Sequence, residues 1–145
     1  MRIVVQRVST ASVSVDAKVV GQIGNGLVVL LGVGKSDSPE VMRWGARKVA
    51  ELRIFQDDNE RMNRNLLEVG GAALVISQFT LYGNADKGRR PSFVDAAAPA
   101  EAQALYEVFV TELRSAGIHT ETGVFGARMS VALVNEGPVT IWLDR

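Results

Sequence analysis

From Arg2 to Val15 the apolar residues fall at Ile3, Val5, Val8, Ala11, Val13 and Val15 with polar residues between them, a period-two strand pattern carrying one phase slip. The slip predicts a bulge or bend near Arg7–Thr10. Asp16-Ala17-Lys18 turns the chain into a second strand, Val19 to Ile23, and Gly24-Asn25-Gly26 supplies residues tolerant of positive φ before a third. That third segment, Leu27 to Val33, is apolar on both faces and predicts a central strand.

Ser38-Pro39-Glu40 is a helix start, with a hydroxyl cap, a proline whose missing N–H costs nothing, and an acid at the positive dipole end. The helix predicted there runs to about Leu52 and puts Val41, Trp44, the Lys48 stem and Leu52 on one side. Arg53-Ile54-Phe55 predicts a strand, followed by a polar turn through Asn65. Ala72 to Leu81 reads as a buried strand ending in polar residues. A second helix spans Pro99 to Ser115, with apolar Ala102, Leu105, Val108, Phe109 and Leu113 and with Gly117 as its stop. Two final strands, about Met129–Asn135 and Val139–Leu143, are joined by Glu136-Gly137-Pro138, which reads as a hairpin turn. The fold class is therefore mixed α/β, with two helices covering one side of the sheets. The other side calls for a second sheet layer or another subunit.

The chain has 145 residues, the length of a single domain spanning 1–145, and no cysteine, so thiol nucleophiles, disulfides and thiolate metal sites are excluded. With one histidine, His119, a multi-histidine metal site is impossible and any Ser-His-Asp triad must use that residue. Sixteen Lys+Arg against sixteen Asp+Glu give zero net charge, which argues against holding nucleic acid by a broad positive field. The longest apolar run, Leu27 to Val33, is far short of the roughly 20 residues of a membrane helix. A soluble, cytoplasmic protein is expected.

Several segments invite chemistry and fall short of it. Gly34-Lys35-Ser36 sits between strand and helix as a phosphate loop would, but Val29 occupies the position of the motif's first glycine. Asp57-Asp58-Asn59-Glu60 lacks the glycine and distal glutamate of a calcium loop. Lys87, Arg89 and Arg90 form the most concentrated basic patch, equally suited to phosphate contact or to plain solvation. Ser77-Gln78-Phe79-Thr80-Leu81 closes an apolar strand with polar groups, which need either internal partners or a ligand cleft. Gly137-Pro138 is a candidate cis peptide against a prior of about 5–6% for such bonds.

Together, Met1-Arg2-Ile3-Val4-Val5-Gln6-Arg7-Val8, Ser77 to Leu81, Lys87-Gly88-Arg89-Arg90-Pro91-Ser92-Phe93, Phe125-Gly126-Ala127-Arg128-Met129 and Asn135 to Thr140 resemble the D-aminoacyl-tRNA deacylase family over essentially the whole chain. The resemblance implies a homodimeric editing enzyme of three-layer α/β/β architecture, with each active site at the subunit interface. It would hydrolyse the ester between a D-amino acid and the 3′-terminal adenosine of tRNA; no cofactor and no metal-ligating residue is assigned.

By the same resemblance Ser77, Gln78, Phe79 and Thr80 line the catalytic pocket. The partner's Gly137 and Pro138, joined by a cis peptide, enter it and exclude L-amino acids by a clash. Glycyl-tRNA, including glycine mischarged on tRNA(Ala), would escape that rejection. Asn135, Val139, Thr140, Phe125 and Met129 would help form the substrate site, with Arg7 hydrogen bonding to the inserted motif and Lys87, Arg89 and Arg90 on tRNA phosphates. Two routes to hydrolysis are open: Thr80 as nucleophile, or a water assisted by the adenosine 2′-hydroxyl with the Phe79 and Thr80 amides on the oxyanion. The alternative from another class is a non-catalytic dimeric module that only binds a tRNA end.

Overall fold

The computed structural model describes residues 1–145. Along the chain lie β1 (Arg2–Val15), β2 (Lys18–Ile23), β3 (Gly26–Gly32), α1 (Pro39–Glu51), β4 (Phe55–Gln56), β5 (Met62–Arg64), β6 (Ala72–Ser77), a 3-10 turn (Phe79–Tyr82), α2 (Pro99–Ser115), β7 (Thr120–Thr122) and β8 (Ser130–Asp144). The main sheet runs β2-β1-β3-β6-β7, with β8 along β1 as well. The β3/β6 and β6/β7 pairs are parallel and the other main-sheet pairs antiparallel.

Alternation along the central strands builds two cores. Leu27, Val29 and Leu31 of β3, with Ala73 and Val75 of β6, pack against the two helices through Met42, Phe109 and Leu113. The opposite face, Val28, Leu74 and Ile76, meets Val8, Ala11 and Val13 of β1 and Ile23 of β2. Gly21 of β2 comes so close to β6 and β7 that a Cβ there would stand 2.7 Å from the Thr122 carbonyl oxygen. The layers are thus helices, sheet and the folded-over β1/β2/β8 region, the mixed α/β arrangement expected.

The phase slip in β1 has a structural cause. Ile3 and Val5 face the helices, whereas Val8, Ala11 and Val13 face the second core, and the β8 register breaks between Gln6 and Val8 and again between Val8 and Thr10. At the tip of the β1/β2 hairpin Val15 pairs with Lys18, and Asp16 and Ala17 hold φ of +49° and +62°. Both central residues are positive, as a type I′ turn requires. Alanine is strained there, so Ala17→Gly is expected to stabilise the fold by about 1 kcal/mol and raise Tm by about 2–4 °C in a thermal melt.

Five expectations change. The buried stripe of α1 is Met42, Gly45, Ala46, Val49 and Ala50, with Val41, Trp44 and Leu52 only flanking it. Small residues win the core positions because Met1 packs directly on Gly45, whose Cβ would come within 2.7 Å of the Met1 methyl. The Arg53–Phe55 strand is only Phe55–Gln56, paired with β5 in a hairpin outside the main sheet. The Ala72–Leu81 strand stops at Ser77, because its neighbour β3 ends at Gly32 and leaves nothing to pair with. Neither Gly24 nor Gly26 takes positive φ; Gly26 is needed for close approach to Ala72. Glu136-Gly137-Pro138 is no hairpin: both flanking segments pair antiparallel with β1, so residues 136–139 bulge out opposite Arg7.

Candidate functional site

Just past the last β3/β6 pair, Leu31↔Ser77, the Gln78 N–H donates to the Leu31 carbonyl at 2.8 Å and the chain winds into the 3-10 turn. Burial falls away from Ile76, which is fully buried, to Phe79 and Thr80, which are exposed. The polar strand end therefore opens onto a cleft instead of being satisfied inside the core. The first turn of any such helix leaves its leading N–H groups without intrahelical acceptors, and no side chain caps this one. The amides of Phe79 and Thr80 are the groups so placed.

The cleft has a volume of about 550 Å³. Ser77, Gln78 and Phe79 form one side; Phe125, Gly126, Ala127 and Met129 form another; Val33, Phe93, Ala96, Ala97 and Ala102 complete an apolar wall. None of its lining residues is ionisable. Phe79 meets Phe93 edge to face, with ring centroids 5.1 Å apart, and half its surface stays open at the mouth. Gln78 Nε2 donates to Thr80 Oγ1. His119 pairs with Glu121 at 3.1 Å beside β7 and does not line the cleft, so no imidazole or carboxylate of this chain faces Thr80 from the cleft wall.

Tyr82 is the last residue of the turn. Burial first, and then the charge of Asp37, pushes its phenol up to about 12, so it stays protonated and supplies no base at neutral pH.

A second cluster stands apart from the cleft. Asn135 Nδ2 donates to the carbonyls of Arg7 (3.0 Å) and Val139 (2.9 Å), clamping the base of the bulge. Thr140 Oγ1 lies 3.5 Å from Asn135 Oδ1 and accepts from Gln6 Nε2 at 3.3 Å. At the tip, Gly137 and Pro138 are joined by a cis peptide, and both are exposed. Gly137 holds φ of +115°, and a Cβ there would stand 2.7 Å from Arg7 Nη2 and 3.0 Å from Val139 Cγ2. Arg7 is buried; its Nη1 donates to the Ile54 carbonyl at 2.5 Å, not to Gly137 or Pro138, so its support of the bulge is steric.

Neither Gly137 nor Pro138 lines the cleft; Gly137 lies six residues beyond Val131, which borders it, at most roughly 20 Å along an extended strand. One chain therefore holds the cleft and the protruding glycine-proline tip in two separate places.

Lys87, Arg89 and Arg90 are exposed on a loop closed by reciprocal Asn84–Ser92 backbone bonds of 2.8 and 2.9 Å. Phe93 on the cleft wall lies three positions beyond Arg90, a span of at most roughly 10 Å. The wall residues Val33, Phe93, Ala96, Ala97 and Ala102 went unassigned in the sequence. Their one local signal is the Ala96-Ala97-Ala98 run before the second helix, whose small side chains leave room for the cleft.

Comparison with known proteins gives consistent family and fold matches. A family model described as D-Tyr-tRNA(Tyr) deacylase matches residues 4–144. The D-aminoacyl-tRNA deacylase of Thermomicrobium roseum is 58% identical over 99% of this chain and 94% of its own length. That of Koribacter versatilis is 57% identical over 99% and 97%. Among solved structures, one named c-Myc DNA Unwinding Element Binding Protein aligns with a TM-score of 0.93 at 36% identity, covering 100% of this chain and 99% of that one. A probable eukaryotic D-amino acid tRNA deacylase shares the fold, with a TM-score of 0.86 at 22% identity over 99% and 98%. The class these matches and the cleft define is that of hydrolases acting on carboxylic ester bonds. Within it, the chain belongs to the D-Tyr-tRNA(Tyr) deacylase family.

Proposed function

We propose that this protein hydrolyses D-aminoacyl-tRNA, in the cytoplasm and as a homodimer, with the partner's Gly137 and Pro138 completing each cleft. The observation that carries the reading is the pairing of a cleft without any ionisable wall residue and an exposed glycine-proline tip on the same chain that does not line that cleft. A site built from backbone groups suits an aminoacyl ester, which is already activated. It also suits selection by chirality: fixed backbone atoms grip the α-amino group and α-hydrogen, and an L side chain meets protein instead of solvent. Glycine has no side chain to reject, so glycyl-tRNA is a substrate too.

The open face of Phe79 offers a surface on which the terminal adenine stacks. Lys87, Arg89 and Arg90 reach backbone phosphates, few enough contacts for rapid release. Water attacks the ester carbonyl carbon, the Phe79 and Thr80 amides hold the oxyanion, and the adenosine 3′-oxygen leaves with a proton. The adenosine 2′-hydroxyl orients that water, since no base of this chain lines the cleft, and Gln78 positions substrate and Thr80 alike.

Incubation with D-Tyr-tRNA and L-Tyr-tRNA tests the reading: selective loss of the D ester is expected. Equal survival of both would leave a tRNA-end binding module instead. Thr80→Ala is expected to retain kcat within about threefold of the parent, whereas a 2′-deoxy terminal adenosine slows hydrolysis by about 10²-fold. A dead Thr80→Ala variant with normal thermal stability would instead make Thr80 the nucleophile.

A further inference from the structure

The 3-10 turn that carries the Phe79 and Thr80 amides is held from outside at its far end. Helix ends leave carbonyls without intrahelical donors. The Gly83 N–H covers the Thr80 carbonyl at 2.9 Å, and the Leu81 carbonyl is covered by Arg2 of β1, whose Nη1 donates to it at 2.9 Å. The same guanidinium lies 4.6 Å from the centroid of the Tyr82 ring. Its Nε sits 3.4 Å from Asp144 Oδ2 at the end of β8, a charge contact without hydrogen-bond geometry. The ring of Tyr82 is in turn wedged against the end of β3, where a Cβ on Gly32 would stand 3.4 Å from its Cδ2.

We propose that Arg2 is a positioning residue for ester hydrolysis, fixing the Phe79–Tyr82 turn so that its leading amides keep their aim into the cleft. It touches neither substrate nor reacting atoms. Two of its three contacts are to consecutive residues of the turn, one to a carbonyl and one to a ring face. A planar guanidinium can make both at once, while a lysine ammonium is a point charge that makes one or the other. The contact with Asp144 gives the guanidinium a counter-charge and ties the turn to β8, the strand that also carries Gly137.

The inference rests on the proposed activity for its kinetic consequence and on the geometry alone for its structural one, so two measurements are needed. Full-length R2A and R2K are assayed with D-Tyr-tRNA, and amide hydrogen exchange is followed along the chain. For R2A, kcat is expected to fall about 10- to 100-fold with KM within about twofold, since displaced oxyanion donors cost the transition state more than the bound ester. Exchange at Leu81, Tyr82 and Gly83 should accelerate while β3 and β6 stay protected. R2K should lie between R2A and the parent, and Tyr82→Phe, which keeps the ring, should be near normal. An R2A kcat within twofold of the parent overturns the proposal, as does faster exchange spread over the whole sheet. If R2A folds poorly, R2K decides by the same two criteria. A parent enzyme that leaves D-Tyr-tRNA intact would refute the proposed activity, and the exchange pattern would still judge the role of Arg2.

Discussion

Gly26→Ala is expected to cost on the order of 4 kcal/mol and to leave little folded protein near the melting range of the parent. Gly26 pairs with Val8 on one side and with Ala72 on the other, at the start of the parallel β3/β6 ladder. A Cβ there would overlap the carbonyl oxygen of Ala72 and come within 2.8 Å of its nitrogen and carbonyl carbon. All three atoms are backbone, so no side chain can swing aside, and β6 itself must move. The far end of that ladder is Leu31↔Ser77, from which the Phe79–Tyr82 turn of the proposed site springs, so surviving folded protein should also lose activity. Gly24 is the matched control: it lies two residues away, takes no positive φ, and has no heavy atom within 4 Å of its Cβ position. Gly24→Ala should stay within about 1 kcal/mol of the parent in denaturant unfolding. Equal midpoints for the two variants would show that the strands separate at no cost.

That pair of glycines also marks how far the sequence could be read. In the chain they are two ends of one turn signal, Gly24-Asn25-Gly26, and only the parallel neighbour, 46 positions beyond Gly26, distinguishes them. Local signals are legible in the chain because their causes are local. Ser38 caps α1 by accepting from the Val41 N–H, the apolar run of β3 is buried on both faces, and the slip in β1 shows as a broken alternation. Three other features depend on what lies across the fold. β6 stops at Ser77 because β3 stops at Gly32. α1 buries Gly45 because Met1 occupies the space above it. Glu136-Gly137-Pro138 carries turn residues whether the chain reverses or merely bulges, and only the shared partner β1 distinguishes the two. The cleft was half legible: Ser77 to Thr80 stood out as polar groups ending an apolar strand, whereas its alanine-lined wall carries no chemistry to notice.

Gly137→Ala is expected to reduce D-Tyr-tRNA hydrolysis by about 10²-fold while lowering Tm by only a few degrees. Alanine at φ +115° costs about 1–3 kcal/mol, and its Cβ would press on Arg7 Nη2 and Val139 Cγ2. Arg7 cannot retreat easily, since it is buried and its Nη1 is bound to the Ile54 carbonyl. The bulge yields instead, because its tip is exposed and only its base is clamped by Asn135. A displacement of about 1 Å there would misplace the backbone atoms offered to the substrate.

Mixing variants tells whose cleft that tip serves. Ala127→Trp fills the cleft from a half-buried wall position and should be inactive by itself. If the tip acts in its own chain, every mixed dimer of the two variants has one site with a blocked cleft and one with a displaced tip, and both stay dead. If the tip acts across the interface, one site of each mixed dimer combines the open cleft of the Gly137→Ala chain with the intact tip of the Ala127→Trp chain. Co-refolding the two inactive variants should then restore activity, up to one working site in each mixed dimer, on D-Tyr-tRNA and not on L-Tyr-tRNA. Absence of recovery in a mixture verified to contain mixed dimers would show that the tip does not serve the partner's cleft.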